Sequence, residues 1–94
     1  MRDMNAPDLT IGVIGAGAMG TGIAQVAATG GITVRMFDTR DGAAATSCDS
    51  IAKRLSKRAG EGKMPQDEAD AAIARLQPAS SLQDMADCAV VVEA

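Results

Sequence analysis

The sequence has no histidine, tryptophan or tyrosine, and Phe37 is its single aromatic residue. The core must therefore be built from Ala, Val, Ile, Leu and Met. Histidine is the side chain used most often as an acid or base near neutral pH. Because these 94 residues contain none, we assign no catalytic residue within them.

Cysteine, positive charge and long apolar runs are also scarce. Cys48 and Cys88 are too few and too far apart to indicate a metal site or a disulfide framework, so we expect two reduced core residues and no metal. The net charge of −3, with no long basic run, argues against a nucleic-acid partner. No segment has the length of a membrane span, and residues 1–8 lack the apolar core of a signal peptide. These features favour a cytoplasmic protein with no membrane partner.

Glycine is abundant, and three glycines form an ordered pattern after the apolar run 10–14. This run leads directly into G-x-G-x-x-G, the pattern of a strand, a tight turn and a helix start that holds a dinucleotide. Gly15 would allow the turn, Gly17 would let a pyrophosphate approach the backbone, and Gly20 would let the helix pack closely on the sheet. The helix would direct its free N–H groups at the phosphates. The predicted cofactor-binding residues are Gly15, Ala16, Gly17, Ala18, Met19 and Gly20. A plain glycine-rich turn is the alternative for the motif taken alone.

Asp38 ends the strand-forming run 33–37, close to the distance beyond the glycines at which an acidic residue meets the adenosine ribose. Its carboxylate would accept hydrogen bonds from the two ribose hydroxyls and repel a 2′-phosphate, which favours NAD over NADP. An ordinary strand-end or helix-capping acid is the alternative for Asp38 alone. Arg40 could tolerate the extra phosphate, so NADP is the second choice.

The remaining pattern predicts an α/β fold of the Rossmann type, with four parallel strands in the order 3-2-1-4 and a helical hairpin between strands 2 and 3. The predicted strands are 10–14, 33–37, 76–79 and 89–93. The predicted helices are a crossover helix after the glycines, a long helix opening at 39–41, a helix from Pro65, and a one-turn helix that Ser80 or Ser81 caps and that runs through 84–86. The crossover helix carries Met19, Ile23, Val26 and Ala27 on one face, and the long helix carries an apolar stripe of Ala44, Cys48, Ile51 and Leu55.

The long helix also carries a basic face, made of Lys53, Arg54, Lys57 and Arg58. This face is either a solvated surface or a region that attracts a phosphate-bearing substrate. We expect residues 1–8 to be a flexible tail and residues 9–94 to be the N-terminal portion of a longer dinucleotide-binding domain. The last strand would then present an unpaired apolar edge, so we also expect self-association through residues 89–94.

The chain resembles the start of the 3-hydroxyacyl-CoA dehydrogenases. The resemblance rests on Ile11 to Gly20, on Gly22-Ile23-Ala24-Gln25-Val26-Ala27, on Asp38, on the hairpin with Gly62-Lys63-Met64 and Glu68-Ala69-Asp70, and on the closing Val91-Val92-Glu93-Ala94. It implies that residues 15–20 hold the NAD pyrophosphate and that Asp38 binds the adenosine ribose. It also implies an acyl-CoA substrate, a hairpin that helps to bind CoA, and a catalytic His paired with a Glu that lies beyond these 94 residues.

The expected function is therefore the NAD-binding portion of an enzyme that oxidises 3-hydroxyacyl-CoA to 3-oxoacyl-CoA, with this chain inactive by itself. Two alternatives stay open at the level of the sequence. One is a non-catalytic dinucleotide-binding module, and the other is an NADP-dependent 3-hydroxyacid dehydrogenase.

Overall fold

The computed structural model describes residues 9–94, so the expected tail at residues 1–8 lies outside the described residues. Four strands alternate with helices along the chain. They are β1 (Thr10–Ile14), α1 (Ala18–Thr29), β2 (Thr33–Phe37), α2 (Ala43–Gly60), α3 (Gln66–Ala74), β3 (Leu76–Pro78), a 3-10 helix (Leu82–Met85) and β4 (Val90–Glu93). No helix in this part of the chain is long and apolar enough to cross a bilayer.

The four strands form one parallel sheet in the order β3-β2-β1-β4, as predicted. Central β1 pairs with β2 on one side and with β4 on the other, so that Val13 lies beside Met36 and Val92. Val13, Val34 and Met36 are fully buried beneath the helices. In β2 the buried Val34 and Met36 alternate with the half-buried Thr33, Arg35 and Phe37, which is the pattern of a strand with one buried face.

The face of α1 that packs on the sheet consists of small residues. Gly20, Ala24 and Ala28 are buried, whereas Met19 and Val26 are 69% and 74% exposed. Of the predicted apolar face, Met19 and Val26 lie on the outer side of the helix, whereas Ile23 and Ala27 are half-buried and pack against the core. The four residues together line a shallow apolar groove. Met19 and Val26 point outward because the helix sits too close to the sheet for their side chains to fit between the two.

Helices α2 and α3 form the predicted hairpin and complete the core. All four residues of the predicted α2 stripe, Ala44, Cys48, Ile51 and Leu55, are buried. The helix begins at Ala43, later than the predicted 39–41, because Gly42 takes a left-handed conformation (φ +74°) at the N-cap. Pro65 is the N-cap of α3 and precedes its first turn instead of occupying it. Both cysteines are free thiols, and Cys48 is buried whereas Cys88 is half-buried, so only Cys48 belongs to the core.

The 3-10 helix crosses the opposite face of the sheet and leads into β4. It begins at Leu82 with Ser81, one of the two predicted caps, as its N-cap, and the Asp84 carboxylate accepts hydrogen bonds from the backbone N–H groups of Ser80 (3.1 Å) and Ser81 (3.3 Å). The guanidinium of Arg35 donates to the Asp84 carbonyl (2.8 Å) and forms an ion pair with Asp87. These two contacts of Arg35, which belongs to β2, hold the segment between β3 and β4 against the sheet.

Candidate cofactor site

The glycine turn lies at the carboxyl end of β1, which is the edge where open parallel sheets bind ligands. Gly15 has φ +109°, a conformation that a residue with a side chain rarely adopts, and its N–H donates to the Phe37 carbonyl at 2.8 Å. This bond joins the turn to the end of β2. A Cβ on Gly15 would lie 2.5 Å from the Ala94 carbonyl oxygen, so the site has no room for a side chain.

The other two glycines of the motif have opposite surroundings. A Cβ on Gly20 would lie 1.8 Å from the Gly15 carbonyl oxygen, which means that α1 can start this close to the turn only with glycine there. A Cβ on Gly17 would meet no atom within 4 Å. Gly17 is the N-cap of α1 and has no side-chain cap. Open space therefore lies in front of the uncapped helix start, where a phosphate could approach the backbone.

Asp38 follows β2 and reaches back to the turn. Its Oδ2 accepts a hydrogen bond from the Ala16 N–H at 2.8 Å, and its Oδ1 accepts one from the Arg40 N–H at 2.8 Å. The Arg40 side chain adds two donors, Nε to Oδ1 at 3.0 Å and Nη2 to Oδ2 at 2.8 Å. Asp38 does not cap α2, since Gly42 holds that position. The carboxylate is therefore part of the turn's own structure as well as a candidate ribose acceptor.

These donors fix the charge of Asp38. The Arg40 guanidinium, the Ala16 N–H and the Arg40 N–H all hold the pKa of this carboxyl well below its usual range. The carboxylate is therefore ionised throughout the physiological pH range. A carboxylate in that state is the form that accepts hydrogen bonds from sugar hydroxyls.

A cleft of about 490 Å³ lies between the glycine turn and the first turns of α2. Its walls include Ala16, Gly17 and Ala18 on one side, and Arg40, Thr46 and Arg54 on the other. A second cleft of about 370 Å³ lies between the ends of β2 and β3, and Arg40 lines that cleft too. These surroundings fit a dinucleotide, because bare backbone and an uncapped helix start face the first cleft and the ionised Asp38 lines the second.

The structure brings most of the predicted site residues together. Ala16, Gly17 and Ala18 line the cleft, and Gly15 and Gly20 shape the turn from behind. Met19 differs, because its side chain lies on the outer groove of α1 and only its backbone belongs to the first helical turn. We expect Met19 to contribute to the site through its N–H group.

A buried hydroxyl pair beneath the cleft was not predicted. Thr21 Oγ1 and Ser47 Oγ lie 2.6 Å apart and join α1 to α2, and Thr21 also donates to the Ala16 carbonyl at 3.3 Å. Both residues are less than one-tenth exposed. No local pattern marks this pair, because its members belong to different helices and are 26 positions apart. Asp38 and Arg40, by contrast, are two positions apart, and that spacing could have indicated their ion pair.

The fold and the site together define a dinucleotide-binding domain of the Rossmann class. The family model described as "3-hydroxyacyl-CoA dehydrogenase, NAD binding domain" matches residues 10–94. The chain belongs to this family, and NAD is the cofactor of the domain.

Individual relatives agree with the family match. The chain is 42% identical over 86 residues to a probable 3-hydroxybutyryl-CoA dehydrogenase of Deinococcus radiodurans, covering 92% of this chain and 31% of that protein. It is 36% identical over 84 residues to the 3-hydroxybutyryl-CoA dehydrogenase of Mycobacterium tuberculosis, covering 89% of this chain and 29% of that protein. The chain thus spans less than a third of the length of these relatives.

A solved structure shares the fold. The crystal structure of 3-hydroxybutyryl-CoA dehydrogenase from Escherichia coli K12 superposes with a TM-score of 0.86 at 35% sequence identity, over 92% of this chain and 18% of that one. The predicted family resemblance and the predicted Rossmann-type fold are therefore confirmed.

Proposed function

We propose that the chain is the cofactor-binding part of an NAD-dependent enzyme that oxidises 3-hydroxyacyl-CoA to 3-oxoacyl-CoA. The observation that carries this proposal is the open space in front of Gly17, at the uncapped start of α1 and beside the ionised Asp38. The names of the relatives, which are 3-hydroxybutyryl-CoA dehydrogenases, support the substrate class.

Each predicted residue has a defined part in this proposal. The N–H groups at the start of α1 bind the pyrophosphate, and Asp38 binds the adenosine ribose. Bound NAD supplies a hydride acceptor for the carbon that bears the substrate hydroxyl. The residues of this chain position that acceptor, and none of them takes the proton of the substrate hydroxyl in this proposal, because the sequence lacks the histidine that the family resemblance assigns to that step.

The acyl-CoA substrate gives the basic face of α2 a role. The four basic residues Lys53, Arg54, Lys57 and Arg58 are all exposed. In the described part of the chain only Arg54 among them has a side-chain partner, the Gln25 amide oxygen at 3.1 Å. A CoA thioester carries several negative charges, and an exposed basic face would attract it over about a Debye length. We propose a cytoplasmic location as well, which the two free cysteines support.

We also propose that copies of this chain associate through the edge of β4. Val90 and Val91 are 47% and 43% exposed, and β4 pairs only with β1 within the described residues. An apolar strand edge is a template for another strand. Light scattering at rising protein concentration tests this, and a mass that stays at one chain would contradict it.

Calorimetric titration with NAD tests the cofactor site directly. We expect the 94-residue chain to bind NAD and the Gly17→Val variant to lose that binding, because a branched side chain would enter the phosphate's space. The fold should survive, since a Cβ at this position meets nothing within 4 Å. Gly22→Val is the matched control, because Gly22 is equally unobstructed but lies one turn along α1 and outside the cleft. Undiminished NAD binding by a folded Gly17→Val variant would refute the site.

A further inference from the structure

Asp38 has no free acceptor position in this structure. An ionised carboxylate offers about four lone-pair positions, and four donors reach it: the Ala16 N–H, the Arg40 N–H, and Nε and Nη2 of the Arg40 side chain. Two of the four come from one flexible side chain. The two backbone donors belong to the turn and the strand end, so only the guanidinium can leave without rearranging the backbone.

The exposed position of the Arg40 guanidinium allows it to move away from Asp38. The Arg40 side chain is 66% exposed, whereas the Asp38 side chain beneath it is 8% exposed. Arg40 lines both clefts at the end of β2, and within residues 9–94 its side chain makes no hydrogen bond apart from those to Asp38. An ion pair with such an exposed partner is weak, because water and salt screen it.

The ion pair affects NAD and NADP in opposite ways. The ribose hydroxyls of NAD need the two acceptor positions that the guanidinium fills, so NAD must displace Arg40. A 2′-phosphate, by contrast, would be repelled by a bare carboxylate and attracted by the arginine beside it. Retention of Arg40 therefore weakens the binding of NAD and assists the binding of NADP.

We propose that Arg40 is a specificity-determining residue, which competes with the adenosine ribose for Asp38 and so reduces the preference of this domain for NAD over NADP. This inference rests on the proposed binding of the ribose at Asp38. It concerns the ratio of the two affinities and leaves the binding of NAD itself in place.

The test measures the dissociation constants of NAD and NADP by calorimetry for the wild type, Arg40→Gln and Arg40→Lys. Arg40→Gln should bind NAD about three- to fivefold more tightly, the effect expected from removing a competing exposed ion pair. It should bind NADP about tenfold more weakly, because a charge-assisted phosphate contact is lost. Arg40→Lys keeps the charge but cannot fill two acceptor positions in parallel, so it should gain NAD affinity and keep most of its NADP affinity.

Arg35→Gln is the matched control. It removes the same charge and breaks the other arginine–aspartate ion pair, on the opposite face of the sheet. The NADP-to-NAD ratio should stay within about twofold of the wild-type ratio in this variant. Equal shifts in Arg35→Gln and Arg40→Gln would overturn the proposal, because a general charge effect would explain both.

A spectroscopic measurement separates this proposal from the proposed function. The side-chain Nε resonance of Arg40 should shift when NAD is added, as the guanidinium leaves Asp38. Failure of the wild type to bind either cofactor would refute the function itself. Binding of NAD with an unmoved Arg40 resonance and an unchanged affinity ratio in Arg40→Gln would refute only the role of Arg40.

Discussion

At the scale of single residues, Asp38 has a structural task in addition to the one inferred from its position. The sequence indicates a strand-end acid at the right distance from the glycines, and nothing in the sequence shows that its carboxylate also holds the Ala16 N–H. Such a contact depends on how closely β1 and β2 end beside each other. The type of residue could be predicted from local spacing, whereas its partners depend on tertiary geometry.

The lowered pKa of Asp38 predicts how the stability of the fold depends on pH. Its pKa in the folded chain lies well below that of an unfolded aspartate, near 3.9. A carboxyl whose pKa is lower in the folded state than in the unfolded state stabilises the fold. This stabilisation is complete at a pH above the pKa of the unfolded state, and it is lost as the pH falls toward the pKa of the folded state. We therefore expect Asp38→Asn to be less stable than the wild type at pH 7, with the difference shrinking below about pH 4.

Urea denaturation at pH 7, 4 and 3 measures this difference. Asp41→Asn is a suitable control, because Asp41 lies three positions away on the exposed surface. A stability difference between wild type and Asp38→Asn that stays constant from pH 7 to pH 3 would contradict the account.

At the scale of secondary structure, the close approach of α1 to the sheet explains both the glycine at position 20 and the small size of the residues that this helix buries. The helical spacing of Met19, Ile23, Val26 and Ala27 was visible in the sequence, but spacing alone does not tell which face is buried. The face that carries Ala24 and Ala28 is the buried one, because these small side chains let the helix axis lie near the strands. The α2 stripe was predicted correctly, since there the large residues face the core.

A pair of glycine substitutions on α1 tests this packing. Gly20→Ala should destabilise the fold by about 1–3 kcal/mol or more, because its Cβ would overlap the Gly15 carbonyl oxygen and force the helix away. Gly22→Ala should instead stabilise the fold by about 0.5–1 kcal/mol, because an exposed helical glycine is replaced without any contact within 4 Å. Urea unfolding of both variants gives the two values, and similar effects at both positions would argue against close packing at Gly20.

We expect substitutions in the hydroxyl pair between α1 and α2 to lower the free energy of unfolding by unequal amounts. Thr21→Val leaves the buried Ser47 hydroxyl without its partner and should cost about 1–3 kcal/mol. Ser47→Ala should cost less, about 0.5–1.5 kcal/mol, because Thr21 can still donate to the Ala16 carbonyl. The double variant should be less destabilised than the sum of the two single variants. Additive effects in this cycle would mean that the pair does not couple the helices.

At the scale of the whole molecule, the order of the strands and the position of the hairpin could be predicted from the sequence. Right-handed crossovers leave few ways to arrange strands that alternate with helices, and this restriction gives the order β3-β2-β1-β4. Contacts between side chains of distant segments could not be predicted from the sequence. Examples are the Arg35–Asp87 ion pair and the Thr21–Ser47 pair, whose members meet only after the sheet and the helices have packed.

The molecule also has a cleft of about 400 Å³ at the other end of its strands, lined by Gly30, Gly31, Met64 and Arg75 among others. That cleft precedes β2 and β3, whereas the glycine turn and Asp38 lie where β1 and β2 end. In open parallel sheets ligands bind at the carboxyl ends of the strands. Binding of the cofactor at the glycine turn can therefore be distinguished from binding at this opposite cleft.

The most direct test of the central claim is a two-dimensional NMR spectrum of the ¹⁵N-labelled chain recorded during addition of NAD. We predict that the backbone amide shifts concentrate at residues 15–21 and 38–42, while the amides of Gly30, Gly31 and Arg75 stay in place. Shifts confined to the opposite cleft, or no shifts at saturating NAD, would contradict the assignment of the glycine turn and Asp38 as the cofactor site.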